Sequence, residues 1–393
     1  MRIHLQTSSL ALLAASAFSA HAADAVLLPE PEPVEYVRIC DAYGAGFFYI
    51  PGTETCLRMS GYVRYQIGAT SDDGPFDTPN YNGFLPDGWN KTVRARLNFD
   101  TRSETEWGTL RSYIRFQATW NGVGDGPVFT DQAWLSLGGL RMGYSESAWA
   151  DTVVGGVPTN GSHSDNGMSY GDQQRALIQY NFQSNGFFGV LSLEDDDLDG
   201  DGYMPDVVGV LGYASGWGGI WARAGYDESF DGSVYDYSAV LPGFIGVNDG
   251  GFGASVGTQV NVPNMEGSSL RVIGYYSDGD HTYGVLYPSS ASTFVIAPGG
   301  GLIPVGGNSE WSILASYAQQ FTETFGASVG YQYFNDFYFA DTDVLTGLSG
   351  YEVELSLVWF PVTDFEVRTE IDYDKIDTLD GTVSGFLRFQ RNF

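Results

Sequence analysis

Long apolar runs are the first thing this 393-residue chain lacks. Past a short stretch from Leu10 to Phe18, nothing approaches the ~20 apolar residues that a membrane helix needs, so a helical span is excluded as far as hydropathy decides it. Positive charge is scarce too: Lys91 and Lys375 are the only lysines among 18 basic residues, set against 48 acidic ones, for a net charge of −30. Nucleic acid is therefore not a partner, because its binding is driven by neutralising phosphates with Lys and Arg. Histidine is rare, and only His163 and His281 lie beyond the first 22 residues, both in stretches that read as loops. Ser162-His163-Ser164-Asp165 has the residue types of a hydrolytic triad, but sequence neighbours do not meet triad geometry. No enzyme and no cofactor are expected. Cysteine is limited to Cys40 and Cys56. In an exported chain a lone pair reads as a disulfide, with two reduced buried thiols as the alternative.

Export is what the start of the chain indicates. Arg2 and His4, the apolar Leu10 to Phe18 and the small-x-small Ala20-His21-Ala22 form a signal peptide over residues 1–22, with the mature chain beginning at Ala23. Residues 23–56 then read as a leader that is Pro- and Glu-rich to Glu35 and closed by the cysteines. Aromatics make up 15% of the chain and Gly reaches 52 residues. Tyr and Phe in such numbers suit strands and interfacial girdles.

From Leu57 to Phe393 the sequence falls into sixteen alternating runs, among them Leu57 to Ala69, Lys91 to Arg102, Gly108 to Trp120, Phe365 to Asp374 and Thr382 to Phe393. Connections between them alternate long and short: Thr70 to Asn90 is long, Ser103 to Trp107 short, Glu146 to Gln174 long, Ser184 to Gly186 short. A barrel with long loops on one side of a membrane and tight turns on the other has this rhythm, and a soluble sandwich has no reason to. Within runs, one parity is apolar and the other polar: Val93, Ala95, Leu97 and Phe99 oppose Arg94, Arg96, Asn98, Asp100 and Arg102. Such charge cannot fill a dry core, so the polar face belongs to a wet lumen and the apolar face to lipid. The fold class is all-β, a 16-stranded antiparallel transmembrane β-barrel over residues 57–393.

Parity then gathers the arginines. Arg64, Arg94, Arg96, Arg102, Arg111 and Arg115 face inward on the first three strands, and Arg388 joins them once the first and last strands pair. Glu146 to Gln174, the third outer loop, is long, acidic and Gly-rich without a convincing strand or helix period; it is expected to fold inward. Its Glu146, Asp151, Asp165 and Asp172 would then face the arginines across a pore constriction and set a transverse field. Ordinary pairing of the arginines with Asp100 or with later acidic strands is the bland alternative. Glu352, Glu354, Glu366, Glu370 and Asp372, with Arg368, form an acidic far wall. Asp197, Asp199 and Asp201 open like a calcium loop, but Val208 stands where a bidentate Glu is required, so the stretch reads as a solvated acidic loop.

The run Glu35 to Arg58, with Cys40-Asp41-Ala42-Tyr43-Gly44-Ala45-Gly46-Phe47-Phe48-Tyr49 at its centre, is followed by Gly61-Tyr62-Val63-Arg64-Tyr65. It resembles the start of the alphaproteobacterial porins of the rhizobial and Brucella type, and the ending Gly385 to Phe393 is similar too. The resemblance implies a bacterial outer-membrane homotrimer in contact with lipid and lipopolysaccharide. It also implies passive diffusion of ions and small hydrophilic solutes, with the third outer loop as constriction and Arg94, Arg96, Arg111 and Arg115 as its foremost arginines. Two rivals remain: a saccharide-type specific channel using Trp149 or Tyr170, and a plugged barrel that serves as a surface adhesin.

Overall fold

The computed structural model describes residues 38–71, 88–121, 126–195, 204–228, 250–286, 307–340, 342–377 and 381–393, with the backbone of four short strands between them. The expected signal peptide and the Asp197, Asp199 and Asp201 stretch lie outside the described residues. Sixteen antiparallel strands make one closed sheet. They are β1 (Cys56–Ser71), β2 (Gly88–Thr105), β3 (Gly108–Trp120), β4 (Phe129–Leu137), β5 (Leu140–Glu146), β6 (Gln174–Ser184), β7 (Phe187–Asp195), β8 (Asp206–Ser215), β9 (Gly218–Asp227), β10 (Gly251–Asn261), β11 (Ser268–Ser277), β12 (Ser309–Gln320), β13 (Phe325–Phe337), β14 (Gly350–Val362), β15 (Phe365–Ile376) and β16 (Thr382–Asn392). Consecutive strands pair throughout, and β1 pairs with β16 from Tyr62↔Asn392 to Ser71↔Val383, which closes the ring. Closure is what hydrocarbon demands, since an open edge would leave backbone donors and acceptors with neither water nor a partner.

One end carries the tight turns. Asn185 and Gly186, with φ of 49° and 84°, join β6 to β7 in the left-handed region that a two-residue hairpin requires. The opposite end carries the long connections. Near the tight turns, Cys40 and Cys56 form a disulfide with 6.0 Å between their Cα atoms. The segment it closes folds the two-residue strand Phe48–Tyr49 onto the start of β1 and buries Phe47 beneath the guanidiniums of Arg58 and Arg102.

The inversion of polarity is visible on β1 and β2. Met59, Val63, Tyr65 and Leu97 lie exposed on the outside, while Arg64 and Arg388, on the other parity, bond to Gln390 and Gln66 inside. A uniformly polar interior, however, is not what forms. Phe188 and Val190 of β7, Val208 and Val210 of β8, Trp221 of β9 and Ile273 of β11 face inward and are fully or nearly fully buried. Here both parities are apolar, because the inward side is covered by chain rather than by water.

Facing decides the cost of a charge. Leu97→Arg, placed on the lipid side at mid-strand, is expected to destabilise the barrel by roughly 2–4 kcal/mol. Asn98→Asp, one residue on and opposite Arg115 in the β2–β3 register, should change stability by less than about 1 kcal/mol. Denaturant titration of protein folded in lipid vesicles measures both, and equal losses would contradict the assigned facing.

Candidate functional site

Residues 147–173, between β5 and β6, run into the lumen and are held there by packing and by bonds to the wall. Val153–Val154 and Val157–Pro158 pair as a small hairpin across Gly155 and Gly156, at φ of 64° and 81°. No strand was expected in this loop. Gly155 also lies flat on Phe188, whose ring would stand 2.3 Å from any added Cβ. Trp149, Val154, Val157 and Met168 complete the apolar cluster with the inward residues of β7, β8, β9 and β11. Trp149 is 1% exposed and meets the Tyr283 ring edge-on, with 6.0 Å between centroids.

Two arginines clamp the loop backbone. Arg271 on β11 donates through Nη1 to the carbonyls of Asn160, Gly161 and Ser162, at 3.1, 2.7 and 2.6 Å. Arg223 on β9 donates to the carbonyls of Thr159 and Asp151. Carboxylates take the complementary part. Glu370 on β15 accepts the backbone N–H groups of Asp165 and Asn166, Glu354 on β14 accepts the Ser164 hydroxyl, and Glu194 on β7 accepts the Ala148 N–H. Gln332 on β13 both accepts from the Ser169 N–H and donates to its carbonyl. The two ring nitrogens of His163 bond to Ser316 and Ser269, at 2.7 and 2.9 Å. Instead of forming a triad, the Ser162–Asp165 stretch is spent on anchoring.

The arginines fall into two groups. Arg64, Arg94, Arg96 and Arg388 line a cavity of about 510 Å³ together with Tyr62, Asp165, Tyr170, Asp172 and Phe386. Asp165 reaches across from the loop to pair with Arg388 and lies 4.0 Å from Arg64. Beside the cavity, Arg115 pairs with Asp131 of β4 and lies 4.0 Å from Glu146. Arg111 belongs elsewhere: with Arg58 and Arg102 it gathers on Asp100, nearer the tight turns, in the pairing named above as the bland alternative. Asp151 is also apart from the cavity, in the Arg223 clamp, where its carboxylate accepts from the Val153 N–H.

Sequence reasoning missed Arg223, Arg271, Glu194 and Asp131. A signal existed for the first two: each is an isolated inward-parity arginine on a strand whose neighbours are apolar on both faces, such as Ile220 and Trp221 or Val272 and Ile273. A charge there must be bonded to something that arrives from within. Acids of the far wall act less on the lumen than on the loop, as Glu354 and Glu370 demonstrate.

Charge on the loop follows from these contacts. Burial alone would raise the Asp165 carboxyl, but Arg388, Arg64 and Arg368 outweigh it and hold it at about 2. Burial, aided by Arg271, pushes the His163 imidazole down to about 3, so the ring is neutral around neutrality. Asp172 moves up through burial, against the pull of Arg115.

A family model described as "Porin subfamily" matches residues 24–386. The chain belongs to the porin family. Porin Omp2a of Brucella ovis is 42% identical over 270 residues, covering 62% of this chain and 73% of the relative. Porin Omp2b of Brucella abortus is 43% identical over 267 residues, covering 62% and 69%. Among solved structures, the outer membrane channel DcaP of Acinetobacter baumannii superposes with a TM-score of 0.62 at 15% identity, covering 88% of this chain and 99% of that one. OmpT of Vibrio cholerae does so with a TM-score of 0.56 at 10% identity, covering 88% and 99%. At those identities the structures establish the barrel fold only. This porin is thus a channel of the bacterial outer membrane for passive diffusion of ions and small hydrophilic solutes.

Two outcomes test the seating of the loop in this porin. Arg271→Ala strands three carbonyls inside the barrel, and a lost charge-assisted bond costs about 1.5–3 kcal/mol. Limited proteolysis of the folded protein should then cut between residues 147 and 173 at a lower protease dose than in wild type. Acid should loosen the loop through His163. Its folded value lies below the ordinary 6.5, so the stability its neutral ring supplies is complete above that value and is lost as pH falls toward about 3. Asp165 has the same sign but a lower window: its contribution holds above about 4 and is lost as pH falls through about 2. Between pH 6.5 and 4, protease sensitivity should therefore rise more in wild type than in His163→Gln, in which only the buried carboxyls such as Asp172, with the opposite sign, still titrate.

Proposed function

We propose that the inward loop and the arginine wall form the constriction of a general diffusion channel. Solutes would pass between Asp165 and Asp172 on one side and Arg64, Arg94, Arg96 and Arg388 on the other. The observation that carries this reading is the cavity at which these six residues meet, with Asp165 bridging to Arg388. Opposed charges at a narrow point hold water oriented, so polar solutes cross at little cost and apolar ones must disrupt that order. Arginine suits the wall because it keeps its charge beside other cations. The net charge of −30 favours cations at the mouths, while the four arginines set the field at the narrowest level. Porin family membership supports a homotrimer seated among lipid and lipopolysaccharide.

The saccharide-type reading has less support. Trp149, one of its two aromatics, is packed against Tyr283 away from solute, leaving Tyr170 at the cavity.

Planar-bilayer recording tests the proposal. Replacing Arg94, Arg96 and Arg115 by glutamine should shift the reversal potential toward cations. Arg111→Gln should shift it least, since Arg111 is engaged with Asp100. An unchanged reversal potential in the triple variant would refute the wall.

A further inference from the structure

Among the described residues, one guanidinium at the cavity has no acidic partner. Arg94 donates Nε to Thr119 Oγ1 at 3.0 Å, and among the described residues no carboxylate lies within 4.0 Å of it. Directly across the β1–β2 register it faces Arg64, a like-charged neighbour. Such a pair costs stability in a sheet. Asp165 relieves it on the Arg64 side, at 4.0 Å with its other oxygen engaged by Arg388, and leaves Arg94 without a carboxylate among the described residues.

The arginines are nonetheless held in place. Tyr62 lies under two of them, with its ring centre 4.8 Å from the Arg64 guanidinium and 5.1 Å from that of Arg96. Phe386 lies 4.3 Å beneath Arg388. Stacking of this kind fixes guanidinium planes without consuming their N–H groups, and so leaves donors aimed at the lumen. Among the described residues, four arginines line the cavity against two aspartates, and Asp131 pairs with Arg96 at 3.6 Å from the wall, which leaves an excess of one positive charge in a space of about 510 Å³.

We propose that this cavity is a saturable subsite for a phosphate group, free or esterified, carried by a solute in transit. The proposal rests on the constriction reading above and names a solute class for it. A phosphate carries close to two negative charges near neutral pH, enough to engage Arg94 and to draw a neighbouring guanidinium, and presents oxygens in three directions. The donors arrive likewise, from β1, β2 and β16. A carboxylate offers two oxygens in one plane and a single charge, so it meets donors that converge from three strands less completely. Release stays fast because the arginines already have neutral partners in Gln390, Thr119, Gln117 and Gln66 to fall back on.

The test is single-channel recording in potassium chloride at pH 8, titrating inorganic phosphate, glycerol phosphate or succinate. Phosphate should reduce the current along a saturating curve, and succinate should need at least tenfold more for the same effect. Arg94→Gln should raise the half-blocking phosphate concentration about tenfold or more, with Arg94→Lys falling between. Arg391→Gln, on the outer surface beside Asp364, should match wild type. Block by inorganic phosphate alone would identify the free ion as the occupant, and block by glycerol phosphate alone the ester; either supports the subsite. A linear dependence, equal block by succinate, or an Arg94→Gln channel blocked like wild type would overturn it. Failure to conduct potassium chloride at all would instead overturn the channel reading on which it rests.

Discussion

Hydrocarbon offers no hydrogen bonds, and the architecture answers to that fact. Each strand must find a partner for both of its edges, so sixteen strands can satisfy the rule only by joining the last to the first, as β16 does with β1. Side chains then have no choice of direction. Along β2, Leu97 must meet lipid because Arg96 and Asn98 cannot. The ionic interior is thus a by-product of the same closure that makes the wall possible, and a water-filled passage follows from it.

Inside, the wall has two characters. On the side of β1 to β3 and β16 it is wet and cationic, with Arg64, Arg94, Arg96 and Arg388 around a cavity. On the side of β7 to β11 it is dry, because residues 147–173 cover Phe188, Val208 and Trp221 as the second layer of a core. Burying Arg223 and Arg271 in that layer would be prohibitive without acceptors, and loop carbonyls supply them. The carboxylates of Glu194 and Glu370 are matched in the same way by loop N–H groups. The loop therefore stays where it is because leaving would strand charges of both signs in the wall.

Strand number, the alternation of long and short connections and the facing of the first three strands were all legible from residue pattern alone. They are legible because parity is a local property: Val93 to Arg102 states its own orientation without reference to anything distant. The cavity-lining arginines and Asp165 were likewise reachable, since closure puts Arg388 beside Arg64 by topology. What was not legible depends on contacts between segments far apart in sequence. The short hairpin around Gly155 exists because Phe188 lies beneath it, and Arg271 reads as another lumen charge until the carbonyls of Asn160, Gly161 and Ser162 are brought to it. Arg111 illustrates the opposite error of degree. It has the right parity but the wrong height, three residues past Gly108, where β3 leaves the tight turn, and there Asp100 takes it.

A tube made of one sheet is mechanically soft in one mode, the flattening of its round cross-section into an ellipse, because that deformation bends the sheet without breaking a bond in it. Residues 147–173 leave the wall at β5 and are fastened to β9 and β11 by Arg223 and Arg271, to β15 by Glu370 and to β16 by Arg388. They span the bore like a tie-rod. Any squeeze from the surrounding bilayer must stretch or compress that brace, so the segment proposed to narrow the passage also keeps its width constant.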